Sequence, residues 1–139
     1  MKQFFPKNPI PLILFFIALG LIFTTNICAE PSDATLVQAV MCESIENFQP
    51  LNPAVIFSIS QGEVFCFSNF DPVMNQTHIF HRWYKKDNLI FTMRLTLSPP
   101  KWSSFSRVQL READKGPWRV EISAADESLL QTLRFSMVD

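Results

Sequence analysis

The chain has 139 residues and a mass of 16.0 kDa, which is enough for one small domain. Its 12 basic and 13 acidic side chains give a net charge of −1 at pH 7. A chain this close to neutral lacks the basic surface expected of a protein that binds nucleic acid. Hydrophobic residues make up 47% of the chain, and they are concentrated in the first thirty positions, which sets this segment apart from the rest.

The first 29 residues have the pattern of a secretory signal peptide. Two lysines and no acidic residue precede an uncharged apolar stretch at 12–23, and the small Ala29 predicts cleavage between Ala29 and Glu30. An uncleaved membrane anchor is the alternative, because residues 9–27 approach the ~20 apolar residues that span a bilayer. The sequence therefore predicts an exported protein, periplasmic or secreted. Anchoring in the inner membrane would require the uncleaved leader.

Cleavage removes Lys2 and Lys7 and no acidic residue, which changes the net charge from −1 to −3. This negative charge further disfavours a nucleic-acid partner. The remaining 110 residues are long enough for one hydrophobic core and too short for two. We therefore expect a single domain over residues 34–139.

The mature chain contains two cysteines, Cys42 and Cys66. Cys28 lies in the leader, where the large Ile27 before it disfavours a lipid anchor. An even cysteine count in an exported chain predicts a disulfide between Cys42 and Cys66. Two buried free thiols are the competing interpretation, because cysteine also behaves as a small core hydrophobe. A metal-binding or catalytic pair is not expected, since the chain has no Cys-x-x-Cys spacing.

After residue 34 the chain alternates between strand patterns and turn signals, and no segment has a helical period. Residues 44–53 carry two prolines and are predicted as a long loop. The second and third strands are expected to form a hairpin closed by Gln61-Gly62. The expected strands lie at 35–43, 55–60, 63–69, Thr77–Lys85, 89–97, 102–111, 118–123 and 129–137.

The pair Thr77–Lys85 and 89–97 has the clearest alternation of apolar and polar residues, which predicts a hairpin with one buried face. A three-residue loop at 86–88 puts Trp83 on the same face as Phe91. A two-residue loop would turn Trp83 outward.

Two strands have less regular patterns. The alternation in 102–111 breaks between Phe105 and Val108, which predicts a bulge. The strand at 63–69 has apolar residues on both faces, so the pattern leaves its buried face open. About seven to eight short strands in 110 residues predict an all-β fold, an antiparallel immunoglobulin-like β-sandwich that follows the N-terminal signal segment.

Several short runs combine aromatic and basic residues along the mature chain. They are His81-Arg82-Trp83-Tyr84, Lys101-Trp102-Ser103-Ser104, Gly116-Pro117-Trp118-Arg119-Val120 and Leu133-Arg134-Phe135, with Ile45-Glu46-Asn47-Phe48-Gln49-Pro50 upstream. In this order and spacing the chain, from about residue 37 to 139, resembles the bacterial family known as domain of unknown function 2914. The resemblance implies a small all-β domain in exported or membrane-associated proteins. It brings no established activity and no known catalytic residues.

His81 is the candidate general base among the polar residues of the chain. His78 lies three residues earlier, so on an extended strand the two side chains point to opposite faces. Ser103 and Ser104 lack the Gly-x-Ser-x-Gly context of a serine nucleophile. We therefore expect structural hydrogen bonding by His81, with no enzyme activity, no metal and no cofactor. A small hydrolase that combines His81 with a distant acid is the alternative.

One candidate binding surface is a sheet face that carries arginines. Arg82 and Tyr84 face away from Trp83, and Arg94 lies outward on the neighbouring strand, so the three can present a site for an anionic or aromatic group. The competing interpretation is an ordinary solvated face, whose arginines cover apolar neighbours and pair with acids such as Glu121.

Trp102 is the second candidate binding residue. It follows Pro99-Pro100 at the rim of a strand, where a partly exposed tryptophan stacks on a sugar or anchors a partner protein. Trp83 and Trp118 alternate with aliphatic residues and are expected in the core. The sequence thus predicts a non-catalytic binding or accessory module that contacts an envelope protein or glycan. A membrane-tethered structural domain is the alternative.

Overall fold

The computed structural model describes residues 32–139, so the predicted leader and its cleavage site at Ala29 and Glu30 lie outside the described residues. This part of the chain contains nine strands and two short 3-10 helices, at Ile59–Gln61 and Glu112–Asp114. The strands are β1 (Ala34–Glu46), β2 (Gln49–Pro53), β3 (Ile56–Ser58), β4 (Glu63–Val73), β5 (Thr77–Lys85), β6 (Asn88–Leu97), β7 (Trp102–Gln109), β8 (Gly116–Ser123) and β9 (Leu129–Val138). Neither helix of residues 32–139 is long and apolar enough to cross a membrane.

The strands form two sheets around one core. Sheet 1 has the order β2-β1-β4-β7, and sheet 2 has the order β3-β9-β8-β5-β6. The orders β1-β4-β7 and β5-β8-β9 correspond to strands A-B-E and C-F-G of an immunoglobulin fold. The predicted all-β sandwich is therefore confirmed, with nine strands in place of the expected seven to eight. It is not wholly antiparallel, since β3 and β9 are parallel.

The β5–β6 hairpin is confirmed, but its turn differs from the prediction. The turn contains two residues, Lys86 and Asp87, and both have positive φ angles. A register shift next to Trp83 lets Trp83 pair with Phe91 and point into the core. The expected placement of Trp83 is correct because the extra residue lies in β6, as a bulge, instead of in the loop.

The predicted hairpin between 55–60 and 63–69 is wrong. β3 pairs in parallel with β9 in sheet 2, whereas β4 lies in sheet 1. The Ser58 hydroxyl accepts a hydrogen bond from the Ser60 amide and caps the 3-10 helix at Ile59–Gln61. This helix carries the chain from one sheet to the other, whereas a two-residue turn would keep both strands in the same sheet.

The predicted loop at 44–53 is also wrong, because this segment forms a hairpin. β1 continues to Glu46 and pairs with β2 through a turn at Asn47 and Phe48, whose φ angles are 49° and 58°. β2 contains two prolines. It tolerates them as the edge strand of sheet 1, where a proline need not interrupt the hydrogen-bond ladder. The turn places an aromatic side chain, Phe48, at the tip of the hairpin.

The bulge predicted in the strand at 102–111 is absent. β7 pairs with β4 in continuous register from Trp102 to Gln109. Ser104 and Ser106 occupy inward-facing, buried positions of β7. The apolar alternation is interrupted because hydroxyl side chains stand at core positions, while the strand itself stays regular.

The centre of the core is aromatic. Trp83 is fully buried, stacks on Phe91 with ring centroids 5.5 Å apart, and meets the ring of Phe135 edge-on at 6.0 Å. Trp118 is also buried and lies against the other side of this cluster, 6.3 Å from Phe135. The predicted core positions of Trp83 and Trp118 are therefore confirmed.

The predicted disulfide between Cys42 and Cys66 is wrong. The register of β1 and β4 pairs Cys66 with Met41 and Cys42 with Phe65. Successive residues of a strand point to opposite faces, so the two thiols lie on opposite sides of sheet 1. Both cysteines are free and buried. Burial raises the pKa of the Cys42 thiol to about 11, and it raises the pKa of the Cys66 thiol as well.

We expect neither thiol to react in the native protein. The thiolate is the reactive form, and burial with a raised pKa keeps the thiolate scarce at neutral pH. Mass spectrometry after iodoacetamide treatment should show Cys42 and Cys66 unmodified in buffer and both alkylated in concentrated guanidinium chloride. A disulfide would instead block alkylation in the denaturant until a reductant is added.

Candidate functional site

Arg82, the first residue of the predicted arginine face, lies on the outer side of sheet 2 and is engaged by its neighbours. Its guanidinium donates to Glu127 at 3.1 Å and to the Ser123 hydroxyl at 3.1 Å. It also stacks over the Phe80 ring, 4.8 Å from the centroid. These contacts occupy the guanidinium within the fold.

Tyr84 and Arg94 also take part in internal contacts. The guanidinium of Arg119 covers the Tyr84 ring at 4.1 Å and donates to Glu121 at 3.2 Å. Arg94 donates to Nδ1 of His78 at 3.3 Å. Arginines on this face pair with acids and aromatic rings, as the solvated-face interpretation describes, but Arg82 pairs with Glu127, and Glu121 pairs with Arg119.

His81 points the other way, into the core, and has no exposed surface. Its Nε2 atom lies 3.0 Å from Oγ of Ser68, and its Nδ1 atom lies 2.8 Å from Oγ of Ser106. Trp83 Nε1 donates to the same Ser106 oxygen at 2.9 Å. The Ser68 hydroxyl donates to the carbonyl oxygen of Ser104 at 3.5 Å. The four side chains form one continuous chain of hydrogen bonds, the core network.

The core network assigns the tautomer of His81. An indole N–H can only donate, so Ser106 accepts from Trp83, and the Ser106 proton has a hydrogen-bond partner only if it is given to Nδ1. Nε2–H then donates to Ser68, whose proton is directed to the Ser104 carbonyl. The network therefore holds a neutral imidazole, and burial lowers the pKa of His81 to about 4. The predicted hydrogen bonding of His81 is confirmed.

Trp102 lies at the start of β7 and is 43% exposed, as its position at a strand rim predicts. It borders a pocket of about 420 Å³ on the outer side of sheet 1, although its pairing with the buried Phe70 directs its own side chain to the inner side. The β1–β2 turn, β4 and β7 all contribute to this cavity, which we call the Trp102 pocket. Its lining residues are Phe48, Gln49, Asn69, Asp71, Lys101, Trp102 and Ser103.

Phe48 reaches the Trp102 pocket because the β1–β2 hairpin bends back across the outer side of sheet 1. The register pairs Cys42 with Phe65, so a straight continuation of β1 would carry the turn away from Asn69. Phe48 nevertheless shares the pocket with Asn69 and is 71% exposed there. Phe67, which faces the same outer side, is buried, so β4 is covered on both faces.

The Trp102 pocket combines an exposed aromatic residue, Phe48, with both kinds of hydrogen-bonding group. Ser103 donates to Oδ1 of Asn69 at 3.2 Å, so the oxygen of this amide has a partner within the fold and its Nδ2 protons remain for a ligand. Asp71 supplies a carboxylate and Lys101 an ammonium group, and both residues are exposed. The site can stack on a ligand and exchange hydrogen bonds with it in both directions.

The described residues offer no set of side chains for a metal ion. Within residues 32–139, no group of three or more His, Cys, Asp or Glu side chains is placed to hold a metal ion.

Sequence reasoning identified Trp102 and missed the residues that surround it. Asn47 tolerates a left-handed conformation and was the signal for the turn that presents Phe48. Asn69 and Asp71 lie more than thirty positions before Trp102, and only the pairing of β4 with β7 brings them together. No local pattern carries that information.

Comparison with known proteins identifies one matching protein family. No curated protein matches the chain. The family described as "Protein of unknown function (DUF2914)" matches residues 76–137, which include β5 to β9 almost completely. This match is shorter than the resemblance over 37–139 that the sequence motifs indicate, and it contains Lys101, Trp102 and Ser103 of the pocket. This match confirms the predicted resemblance to the DUF2914 family of proteins of unknown function over residues 76–137.

Proposed function

We propose that this protein is an exported, non-catalytic binding module of the bacterial envelope and that the Trp102 pocket is its working surface. The observation that carries the proposal is a cavity in which Phe48, 71% exposed, lies with charged and amide groups and beside the partly exposed Trp102. Ligand sites combine apolar lining with a few polar groups in this way. The expected occupant is a component of the envelope, either a protein or a glycan.

The conformation of Phe48 supports this choice of surface. Its φ angle of 58° lies in the left-handed region, which is unfavourable for a bulky residue. Its side chain is 71% exposed, so burial in the core does not compensate for this conformation. A strained residue with no packing role is more easily explained by a ligand contact than by stability.

The arginine face of sheet 2 is less suited to the same task. Arg82 is held by Glu127 and Ser123, and Arg119 is held by Glu121 and Asp87. A ligand anion would have to displace these contacts before it could bind. The Trp102 pocket requires no such exchange at Phe48, because this residue is already exposed.

Export is supported by the sequence of the leader. A basic start, an apolar stretch at 12–23 and the small residue Ala29 form the pattern that a signal peptidase recognises. The expected mature protein begins at Glu30.

Photocrosslinking in cells tests the proposal directly. A photoreactive amino acid at position 102 should give a discrete adduct, because position 102 is partly exposed and borders the pocket. The mass of the recovered protein checks that the mature chain starts at Glu30. The control carries the same photoreactive residue at Thr96, which is exposed on β6 in the other sheet and should give no adduct. The absence of an adduct at 102 from a folded, exported protein would contradict the proposal.

A further inference from the structure

We infer that sheet 2 accepts one added strand from another protein, beside the first half of β9, and that this strand carries an acidic residue opposite Arg134. The surface goes beyond the proposed function, because it lies on sheet 2 and shares no residue with the Trp102 pocket of sheet 1. Three observations lead to it: a free strand edge, an apolar cavity beside this edge, and an arginine without an acidic partner.

The first half of β9 has a free edge. Among the described residues, β3 pairs only with residues 136–138 of β9, so residues 129–134 have no neighbouring strand on that side. The backbone N–H and C=O groups along this edge are available to a further strand. The register of β9 with β8 is continuous from Gln131 to Met137, so the edge is regular next to β3. Residues 129–134 provide an edge roughly 20 Å long, at about 3.3 Å per residue.

The neighbouring edges are less suited to accept a strand. β2 carries two prolines, and β3 contains only three residues. The first half of β1 also lacks a partner on its β2 side, but its pairing with β4 shifts register twice between Ala34 and Gln38. Prolines, short strands and bulges all discourage pairing at an edge. β9 has none of these features between Gln131 and Arg134.

A cavity of about 360 Å³ lies beside the free edge of β9. Leu133 pairs with the buried Val120, and Ala39 of β1 pairs with the buried Ser68, so both side chains point to the inner side of their sheets. Both residues line the cavity, together with the connection between β2 and β3. The small side chain of Ala39 does not fill the gap between the sheets. The cavity can therefore take an inward apolar side chain of a strand that lies next to Leu133.

Arg134 defines the chemistry on the outward side of the added strand. It is exposed and pairs across the strands with Arg119, which covers the Tyr84 ring on the outer side of sheet 2. Arg119 has Glu121 and Asp87 as acidic partners, whereas Arg134 has none among the described residues. Like charges directly opposite each other on neighbouring strands are unfavourable, and opposite charges are favourable. An Asp or Glu beside Arg134 on an added strand therefore complements this edge.

The same charge argues against a second copy of this chain as the occupant. Residues 34–42 of β1 and 129–138 of β9 contain no acidic residue, so two copies paired through these edges would offer no carboxylate to Arg134. A segment of another protein that alternates apolar and polar residues, with an acid at an outward position, satisfies the edge, the cavity and the charge together. In strand addition of this kind, main-chain hydrogen bonds provide the affinity, and alternate side chains provide the specificity.

Selection from a displayed library of random dodecapeptides, with the purified protein as the target, tests the inference. We expect the selected peptides to alternate apolar and polar residues and to share an Asp or Glu at one outward position. The Arg134→Glu protein should bind these peptides about tenfold or more weakly by fluorescence polarisation, and it should select Lys or Arg at the same position. Arg94→Glu is the matched control, since Arg94 is an exposed arginine on β6, the other edge strand of sheet 2, and its replacement should leave peptide binding unchanged.

Hydrogen exchange shows where the peptide binds. A selected peptide should slow amide exchange in residues 129–134, because new bonds between strands protect these amides, and it should leave exchange in β6 unchanged. Far-ultraviolet circular dichroism checks that each variant is folded.

Slower exchange in residues 129–134 together with the reversed charge preference supports the inference. A library that yields no binding peptide overturns it. So do peptides that protect β6 instead of β9, and peptides that bind the Arg134→Glu protein as tightly as the natural one. Crosslinking from position 102 does not involve Arg134, so the proposed function stands or falls separately from these results.

Discussion

Lowering the pH from 7 to 4 is expected to reduce the free energy of unfolding by about 2 to 3 kcal/mol through His81 alone. The pKa of this imidazole falls from 6.5 to about 4 in the folded protein because the ring is buried. The unfolded chain therefore binds a proton below pH 6.5 that the folded protein does not accept. The stability due to the neutral imidazole is complete above pH 6.5 and is lost as the pH falls towards 4.

Chemical denaturation at several pH values between 7 and 4 measures this effect, with the same denaturant throughout. His81→Asn should be less stable at pH 7 and should show a flatter pH profile, since it has no imidazole to protonate. His78→Asn is the matched control: it removes the other histidine of the chain, which is partly exposed on the outer face of sheet 2, and should keep the steep profile. A His81→Asn profile as steep as that of the natural protein would show that other groups cause the loss.

The titration of Asp114 leaves the effect of His81 measurable. The hydrogen bond from Arg111 holds the pKa of Asp114 below its usual value of 3.8. A carboxyl group with a lowered pKa stabilises the fold above that usual value and loses its contribution only as the pH falls further. The effect of Asp114 thus begins where the effect of His81 is nearly complete.

Trp83→Ala is expected to destabilise the domain by about 3 to 5 kcal/mol, the usual range for removal of a large buried aromatic side chain. The substitution removes the stack on Phe91 and the edge contact with Phe135. It also leaves Ser106 without the indole N–H that it accepts. This loss is a large share of the stability of a small domain, which is about 5 to 15 kcal/mol in total.

Trp102→Ala is the matched comparison, because the same substitution is made at an exposed site. We expect its effect on stability to stay below about 1 kcal/mol, as for most exposed positions. Thermal and urea denaturation of both variants, monitored by circular dichroism, provide the test. A loss of several kcal/mol at Trp102 would mean that this side chain serves the core, and the proposed binding role of the pocket would then lose its main support.

The elements that could be predicted from the sequence are those in which apolar periodicity and burial agree. β5, β8 and β9 follow strict alternation, and their inward residues Trp83, Val120 and Phe135 are buried as expected. β6 shows the limit of this reasoning. Its pattern is the clearest in the chain, yet Met93 is 41% exposed because the strand lies at the edge of sheet 2. Alternation reports which residues share a face and does not report whether another sheet covers that face.

The remaining features depend on contacts between distant residues. Ser106 on β7 occupies a core position because it hydrogen-bonds to His81 on β5. The placement of the two cysteines on opposite faces depends on the pairing of β1 with β4. The parallel pairing of β3 with β9 joins segments about eighty positions apart. The Trp102 pocket is of the same kind, since its walls come from three separate parts of the chain. Local propensity carries no signal for such encounters.

The core network also fixes how the two sheets are aligned. Apolar side chains tolerate small shifts of one sheet relative to the other, because hydrophobic contacts have little directionality. The network is different, since β5 supplies His81 and Trp83 while β4 and β7 supply Ser68 and Ser106, and each proton has one acceptor. A slip of β7 by one residue would turn its serines outward and leave the imidazole and the indole N–H unpaired in a dry interior. The buried hydroxyl groups thus favour one alignment of the two sheets. Other registers of the same apolar core would leave polar groups without hydrogen-bond partners.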